Sequence, residues 1–181
     1  MYGAHVHLVS KKEGGFKKAL ELAEEFALKT GAYRPLQFDN KLNVEAQYKT
    51  TGQEIIDAIP DINAFVSGIG TGGTLMGIGK KLKENNPDSK VFALEPSTLS
   101  ILKMGMVEGS HMIEGIGDDF IPGIVEKDLI DDIVLIDDLD AINMAKRIAK
   151  EFGLGIGISS GANFLASVIM DNSDLKITYR L

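Results

Sequence analysis

The sequence predicts an α/β fold, a mostly parallel open sheet flanked by helices. Three observations carry this. Residues 64–67, 91–94 and 133–136 are short apolar runs of strand length. Segments of helical period separate or follow them. Glycine-rich turns stand at Gly68-Ile69-Gly70-Thr71-Gly72-Gly73-Thr74 and at Gly157-Ile158-Ser159-Ser160-Gly161-Ala162-Asn163. Strands alternating with helices form βα units around a sheet covered on both faces, and ligands bind such sheets at the C-terminal ends of their strands.

Residues 4–9 alternate, with Ala4, Val6 and Leu8 on one face, which predicts a half-buried strand. Phe16, Ala19, Leu20, Ala23 and Ala27 recur at helical spacing, and Gly31 stands where a C-terminal cap belongs. Residues 31–44 read as loop, and 45–58 as one helix ending near Pro60. After the strand at 64–67 and its turn, Leu75, Ile78 and Leu82 mark a helix that stops before Pro87. A strand at 91–94 follows, then a long irregular stretch over 95–127. The strand at 133–136 leads to a helix capped by Asp138, with Ile142, Ala145, Ala149 and Phe152 on one face and Gly153 after it. A last strand at 155–158 enters the second turn and a helix over about 162–170.

The chain has 181 residues, 44% hydrophobic and 25% charged, the balance of a globular protein of one domain plus part of another. The net charge of −7 argues against a nucleic-acid partner. No apolar run reaches the ~18 residues of a membrane span, and the N-terminus has no secretory pattern. Cysteine is absent, which removes disulfides and thiolate nucleophiles. These features favour the cytoplasm. His5 and His7 share a strand face without a third ligand nearby and read as a surface pair. Asp118 and Asp119 read as a solvated loop edge, and Lys80, Lys81 and Lys83 as cations near a helix C-terminus.

The first turn has the makings of a phosphate cradle. Glycines let backbone N–H groups face a ligand, the following helix adds its positive end, and Thr71 and Thr74 add hydroxyls. A tight turn that merely packs helix on strand is the alternative. Gly68-x-Gly70-x-x-Gly73 also fits a dinucleotide pattern, with Glu95 near the position of a ribose-binding acid. A nucleoside-triphosphate loop is excluded, because Lys81 rather than Ser or Thr follows Gly79-Lys80. Alone, the second turn is no more than a serine at a helix start.

Together, the two turns resemble those of the cysteine synthases (O-acetylserine sulfhydrylases), fold-type II enzymes dependent on pyridoxal 5'-phosphate (PLP). The resemblance extends to Gln37-Phe38-Asp39-Asn40, Thr50-Thr51-Gly52-Gln53-Glu54-Ile55, His111-Met112-Ile113-Glu114-Gly115-Ile116-Gly117, Phe120-Ile121-Pro122 and Tyr2-Gly3-Ala4. It implies that Gly70, Thr71, Gly72, Gly73 and Thr74 hold the PLP phosphate and that Ser159, or adjacent Ser160, hydrogen-bonds the pyridine nitrogen. It implies that Gln37 binds the substrate carboxylate, that Gly115 lines the site from a mobile loop, and that His111 orders that loop. It also implies a remnant of a smaller domain over residues 1–35 and a large PLP-binding domain over 36–181, incomplete at its C-terminus, where 175–178 looks like the start of another strand. The expected reaction is β-replacement of acetate on O-acetylserine by sulfide, in a homodimer, with serine acetyltransferase as a possible partner. A neutral hydroxyl at the ring nitrogen makes the ring a weaker electron sink, which suits β-elimination over transamination. The family's Schiff-base lysine falls before Tyr2, so the chain alone is expected to be inactive and no catalytic residue is assigned within it. Glu114 stands where the family commonly has glutamine, which bears on the exact substrate.

Overall fold

A computed structural model describes residues 3–106 and 108–171. The chain divides into two compact units, Met1–Leu36 and Gln37–Leu181.

The first unit contains one long helix, α1 (Gly15–Thr30), entered through a short 3-10 turn over Lys11–Glu13. Ser10 and Glu13 form a reciprocal capping box at that turn. Gly31 ends α1 in the left-handed conformation, its N–H donating to the Ala27 carbonyl, as the sequence predicts. Residues 4–9 are not a strand. A strand needs a neighbour to take its N–H and C=O groups, and the described part of this unit offers no second extended segment. Val6, Leu8, Phe26 and Leu28 are all more than 60% exposed.

The second unit is a parallel three-stranded sheet in the order β1 (Ala64–Gly68), β2 (Lys90–Pro96), β3 (Asp132–Ile136). Alternation along each strand divides the core between the two faces. Phe65, Val91, Ala93 and Ile133 pack with Leu75 and Met76 of α4 (Gly73–Asn85). Val66, Leu94, Val134 and Ile136 face the other way, onto Ala141 of α6 (Asp138–Phe152) and Ala162 and Ala166 of α7 (Ile158–Asp171). The fully buried Leu75, Met76, Val91, Ala93 and Leu94 mark the centre of this core.

Three local expectations are corrected. The helix predicted over 45–58 is two helices, α2 (Leu42–Lys49) and α3 (Thr51–Ala58). Thr50 leaves the helical region at φ −107°, ψ −87°, and its hydroxyl donates to the Ala46 carbonyl, ending α2. The cap of α6 is Asp137, whose Oδ1 accepts from the Leu139 N–H at 2.9 Å. Asp138 instead accepts from the Met112 N–H at 2.9 Å, holding the loop before it. The buried stripe of α6 is accordingly Ala141, Ala145 and Ile148, and Phe152 is exposed. Finally, residues 155–157 form no strand, and α7 begins at Ile158, so Ser159 and Ser160 lie in its first turn. The strand expected at 175–178 lies outside the described residues. Among the described residues of 95–127 the chain is mostly irregular, with one short helix, α5 (Ile101–Met104).

Candidate functional site

The first turn closes the C-terminal end of β1 and starts α4. Its backbone is held open from several sides. The Ile69 N–H donates to Leu94 of β2, and the Ile69 carbonyl accepts from Gly117 at 3.0 Å. The Gly115 carbonyl lies 2.5 Å from where a Cβ on Gly70 would stand, so the 111–117 loop is seated directly on the turn. Gly72 is in the left-handed region at φ +88°. A Cβ on Gly73 would fall 2.1 Å from Asn43 Oδ1. Two of these glycines are therefore required by close packing as well as by any ligand, and the packing reading of the turn is correct as far as it goes.

Packing does not account for the donors. Gly72 is buried, and among the described residues the N–H groups of Gly70, Thr71 and Gly72 donate to no protein acceptor. The Gly73 N–H reaches only Thr71 Oγ1, at 3.3 Å. Buried backbone donors are almost always paired, and Gly72 is buried while Gly70 and Thr71 are half-buried, so these N–H groups beside a helix N-terminus are free to meet an anion. Thr71 completes it. Its oxygen accepts from Asn43 Nδ2 at 2.9 Å and from the Gly73 N–H, which leaves the hydroxyl proton to donate. This donor set fits a phosphate monoester such as that of PLP.

Asn43 was not legible as a site residue. It sits near the start of α2, in what reads as loop, and its Nδ2 also donates to the Gln37 carbonyl at 2.9 Å. One amide thus ties Gln37 to Thr71. Gln37 itself is exposed. Its neighbour Phe38 packs edge-on against Phe120, with ring centroids 5.0 Å apart, and accepts from the Ile124 N–H through its carbonyl.

On the other face, Asn163 of α7 connects the second turn to the first. Its Oδ1 accepts from the Gly68 N–H at 2.9 Å, and its Nδ2 donates to the Ser159 carbonyl at 2.8 Å. Ser159 is half-buried and its hydroxyl makes no hydrogen bond among the described residues, whereas Ser160 is exposed. Gly115, Gln37 and Ser159 are thus each linked to the turn by at most one intermediary. Thr74 is exposed at the start of α4.

His111 Nε2 lies 3.0 Å from the Gly117 carbonyl, which requires the proton on that nitrogen and orders the loop. Asp118 is half-buried and not a solvated loop edge. It lines a small cavity with Gly70, Gly117 and Phe120. Burial, reinforced by Asp119, raises its pKa above the ordinary aspartate value, with His111 opposing. The basic group points elsewhere. Lys80 pairs with Glu126 at 2.5 Å, Lys83 pairs with Asp131 at 2.7 Å, and Lys81 lies over the Tyr48 ring.

Glu95 is not a ribose-binding acid. It is 3% exposed, and its carboxylate accepts from Ser100 Oγ at 2.6 Å and from the N–H groups of Ile101, Leu102 and Lys103. It is committed to the start of α5, which removes the dinucleotide reading of the first turn.

Fold and site together define an α/β protein that presents a glycine-rich turn with unpaired N–H groups at the C-terminal edge of a parallel sheet. The family model described as pyridoxal-phosphate dependent enzyme matches residues 1–176, and the chain belongs to that family. It is 40% identical over 172 residues to the cysteine synthase of Staphylococcus aureus, covering 92% of this chain and 54% of that protein. It is 42% identical over 174 residues to a probable cysteine synthase of Bacillus subtilis, covering 92% and 55%. Among solved structures, a hydrogen sulfide-producing enzyme from Fusobacterium nucleatum superposes with a TM-score of 0.91 at 47% identity, covering 94% of this chain and 52% of that one. The chain spans about half the length of the curated relatives it matches. No helix among the described residues is long and apolar enough to cross a membrane, and the described residues contain no cluster of three metal-ligating side chains.

Proposed function

We propose that this chain forms the phosphate- and ring-binding part of a cysteine-synthase-like active site. The observation that carries this is the row of unpaired N–H groups at Gly70, Thr71 and Gly72, within a chain of a PLP-dependent family. The N–H groups and the Thr71 hydroxyl would hold the PLP phosphate, with Gly73 and Thr74 shaping the first turn of α4. Ser159 would meet the pyridine nitrogen as a neutral partner. Gln37 and Gly115 would meet the substrate, Gln37 at its carboxylate. When bound, PLP supplies an electron sink for cleavage at the substrate's β-carbon. The protein's part is to hold the phosphate, keep the ring nitrogen beside a hydroxyl instead of a carboxylate, and close the 111–117 loop over the turn.

The reaction proposed is β-replacement on O-acetylserine by sulfide, giving cysteine and acetate. No lysine of this chain is assigned the Schiff-base role; Lys80 and Lys83 are held in ion pairs and Lys81 lies over Tyr48. Residues 1–35 are assigned to a smaller domain and 36–181 to the larger one. The proposed setting is a cytoplasmic homodimer, with serine acetyltransferase as a candidate partner.

A graft tests this. The matched segment of the S. aureus cysteine synthase is replaced by this chain, and cysteine formation from O-acetylserine and sulfide is measured. Turnover is expected, with Thr71→Ala lowering it about tenfold or more, the scale of losing a phosphate contact. A graft that folds and binds PLP without turning over O-acetylserine would contradict the substrate assignment. The 47% identity to a hydrogen sulfide-producing enzyme supports a second reading in which the same site releases sulfide. Feeding the graft cysteine and measuring sulfide separates the two.

A further inference from the structure

We infer that Asn163 is a positioning residue that sets Ser159 relative to the phosphate turn. The inference rests on the PLP reading of the site. The two halves of the proposed cofactor site come from different places in the chain. The turn follows β1, and Ser159 lies 91 positions after Gly68 in the first turn of α7. Asn163 bridges them with a single planar group. Its Oδ1 takes the N–H of Gly68, the last residue of β1, at 2.9 Å. Its Nδ2 gives to the carbonyl of Ser159, one helical turn back, at 2.8 Å.

The chemistry of the two ends fixes the side chain. A backbone N–H only donates and a carbonyl only accepts, so the amide has one permitted orientation. The bridge needs an acceptor and a donor a fixed distance apart. Aspartate keeps the acceptor for Gly68 and loses the donor for Ser159, placing a carboxylate oxygen against the Ser159 carbonyl. Leucine or alanine loses both. The neighbouring side chains along α7 do something different: Ala162 and Ala166 are fully buried in the α6-facing core, while Asn163 is half-buried and turned to the β1 end. The Ser159 hydroxyl makes no hydrogen bond among the described residues, so its place depends on the backbone, whose carbonyl accepts from Asn163 Nδ2.

The test compares PLP with inorganic phosphate as probes on the 181-residue chain. Inorganic phosphate reads the turn alone, whereas PLP reads turn and ring contact together. Affinities are measured for wild type, Asn163→Asp, Ser159→Ala and the double variant, with thermal melting of each. We expect Asn163→Asp to weaken PLP about tenfold while phosphate affinity changes less than about twofold. In the Ser159→Ala background the same change should cost less than about twofold, because the contact it positions is already gone. Asn163→Ala, which also cuts the Gly68 bond, should weaken PLP at least as much. Unchanged PLP affinity in Asn163→Asp, a parallel loss of phosphate, or additive effects with Ser159→Ala would overturn the inference. Wild-type chain that binds phosphate but not PLP would instead overturn the cofactor reading beneath it.

Discussion

Two aspartates show how environment decides what a carboxylate does. Burial acts to raise the Asp131 pKa, but Lys83 at 2.7 Å, the Val91 N–H at 2.8 Å and Lys90 at 3.2 Å outweigh it and hold the group below the ordinary value. A depressed carboxyl contributes stability above its unfolded pKa and loses it as pH falls through the folded one. Asp131→Asn should therefore destabilise the chain at neutral pH, by about 1–3 kcal/mol for lost charge-assisted hydrogen bonds. It should also flatten the fall in stability below about pH 4; urea unfolding across acidic pH reads both. Asp118 is the opposite case. Its raised pKa means that protonation favours the folded state, so its contribution is fully present below the unfolded pKa and is lost as pH rises through the folded one. Asp118→Asn should raise the melting temperature at neutral pH and leave it unchanged at about pH 3. A lower melting temperature at neutral pH would show that the ionised carboxylate holds the loop.

At the scale of elements, the first turn is built by its neighbours. Gly73→Ala would set a methyl carbon against Asn43 Oδ1, displacing the amide that orients the Thr71 hydroxyl. Overpacking of this kind costs about 1–3 kcal/mol. The loss of phosphate affinity should exceed that of Thr71→Ser, which keeps the hydroxyl; equal affinities for Gly73→Ala and wild type would remove Asn43 from the account. The strand–turn–helix order around this site was legible because apolar runs and glycines declare themselves locally. The resemblance of their motifs singled out Gly70–Thr74, Ser159, Gln37 and Gly115 as residues proposed for one site. The two asparagines were not legible, since each acts across 28 or 95 positions through a side-chain bond that leaves no periodic trace. The false strand at 4–9 failed for the converse reason: alternation marks a capacity to pair, and pairing needs a partner that the sequence pattern does not contain. Asp118 was misread because burial of a loop residue is decided by the loop's seat on the turn and not by its composition.

At the scale of the molecule, the chain exposes surface that folded domains usually cover. Val6 and Leu8 are 77% and 83% exposed, Leu28 is 81% exposed, and β1 and β3 each keep one edge unpaired among the described residues. Open edges and apolar faces invite pairing. Sedimentation velocity of the 181-residue chain should show dimers or larger species, and a clean, heat-stable monomer would count against this. The proposed role of the turn at Gly70–Thr74 is to hold the phosphate of PLP. Titration of the chain with PLP, followed by competition with inorganic phosphate and with NAD, tests it most directly. PLP should bind saturably and weakly, be displaced by phosphate and weakened by Thr71→Ala, and be left untouched by NAD. Absence of saturable PLP binding, or displacement by NAD at lower concentration than by phosphate, would contradict it.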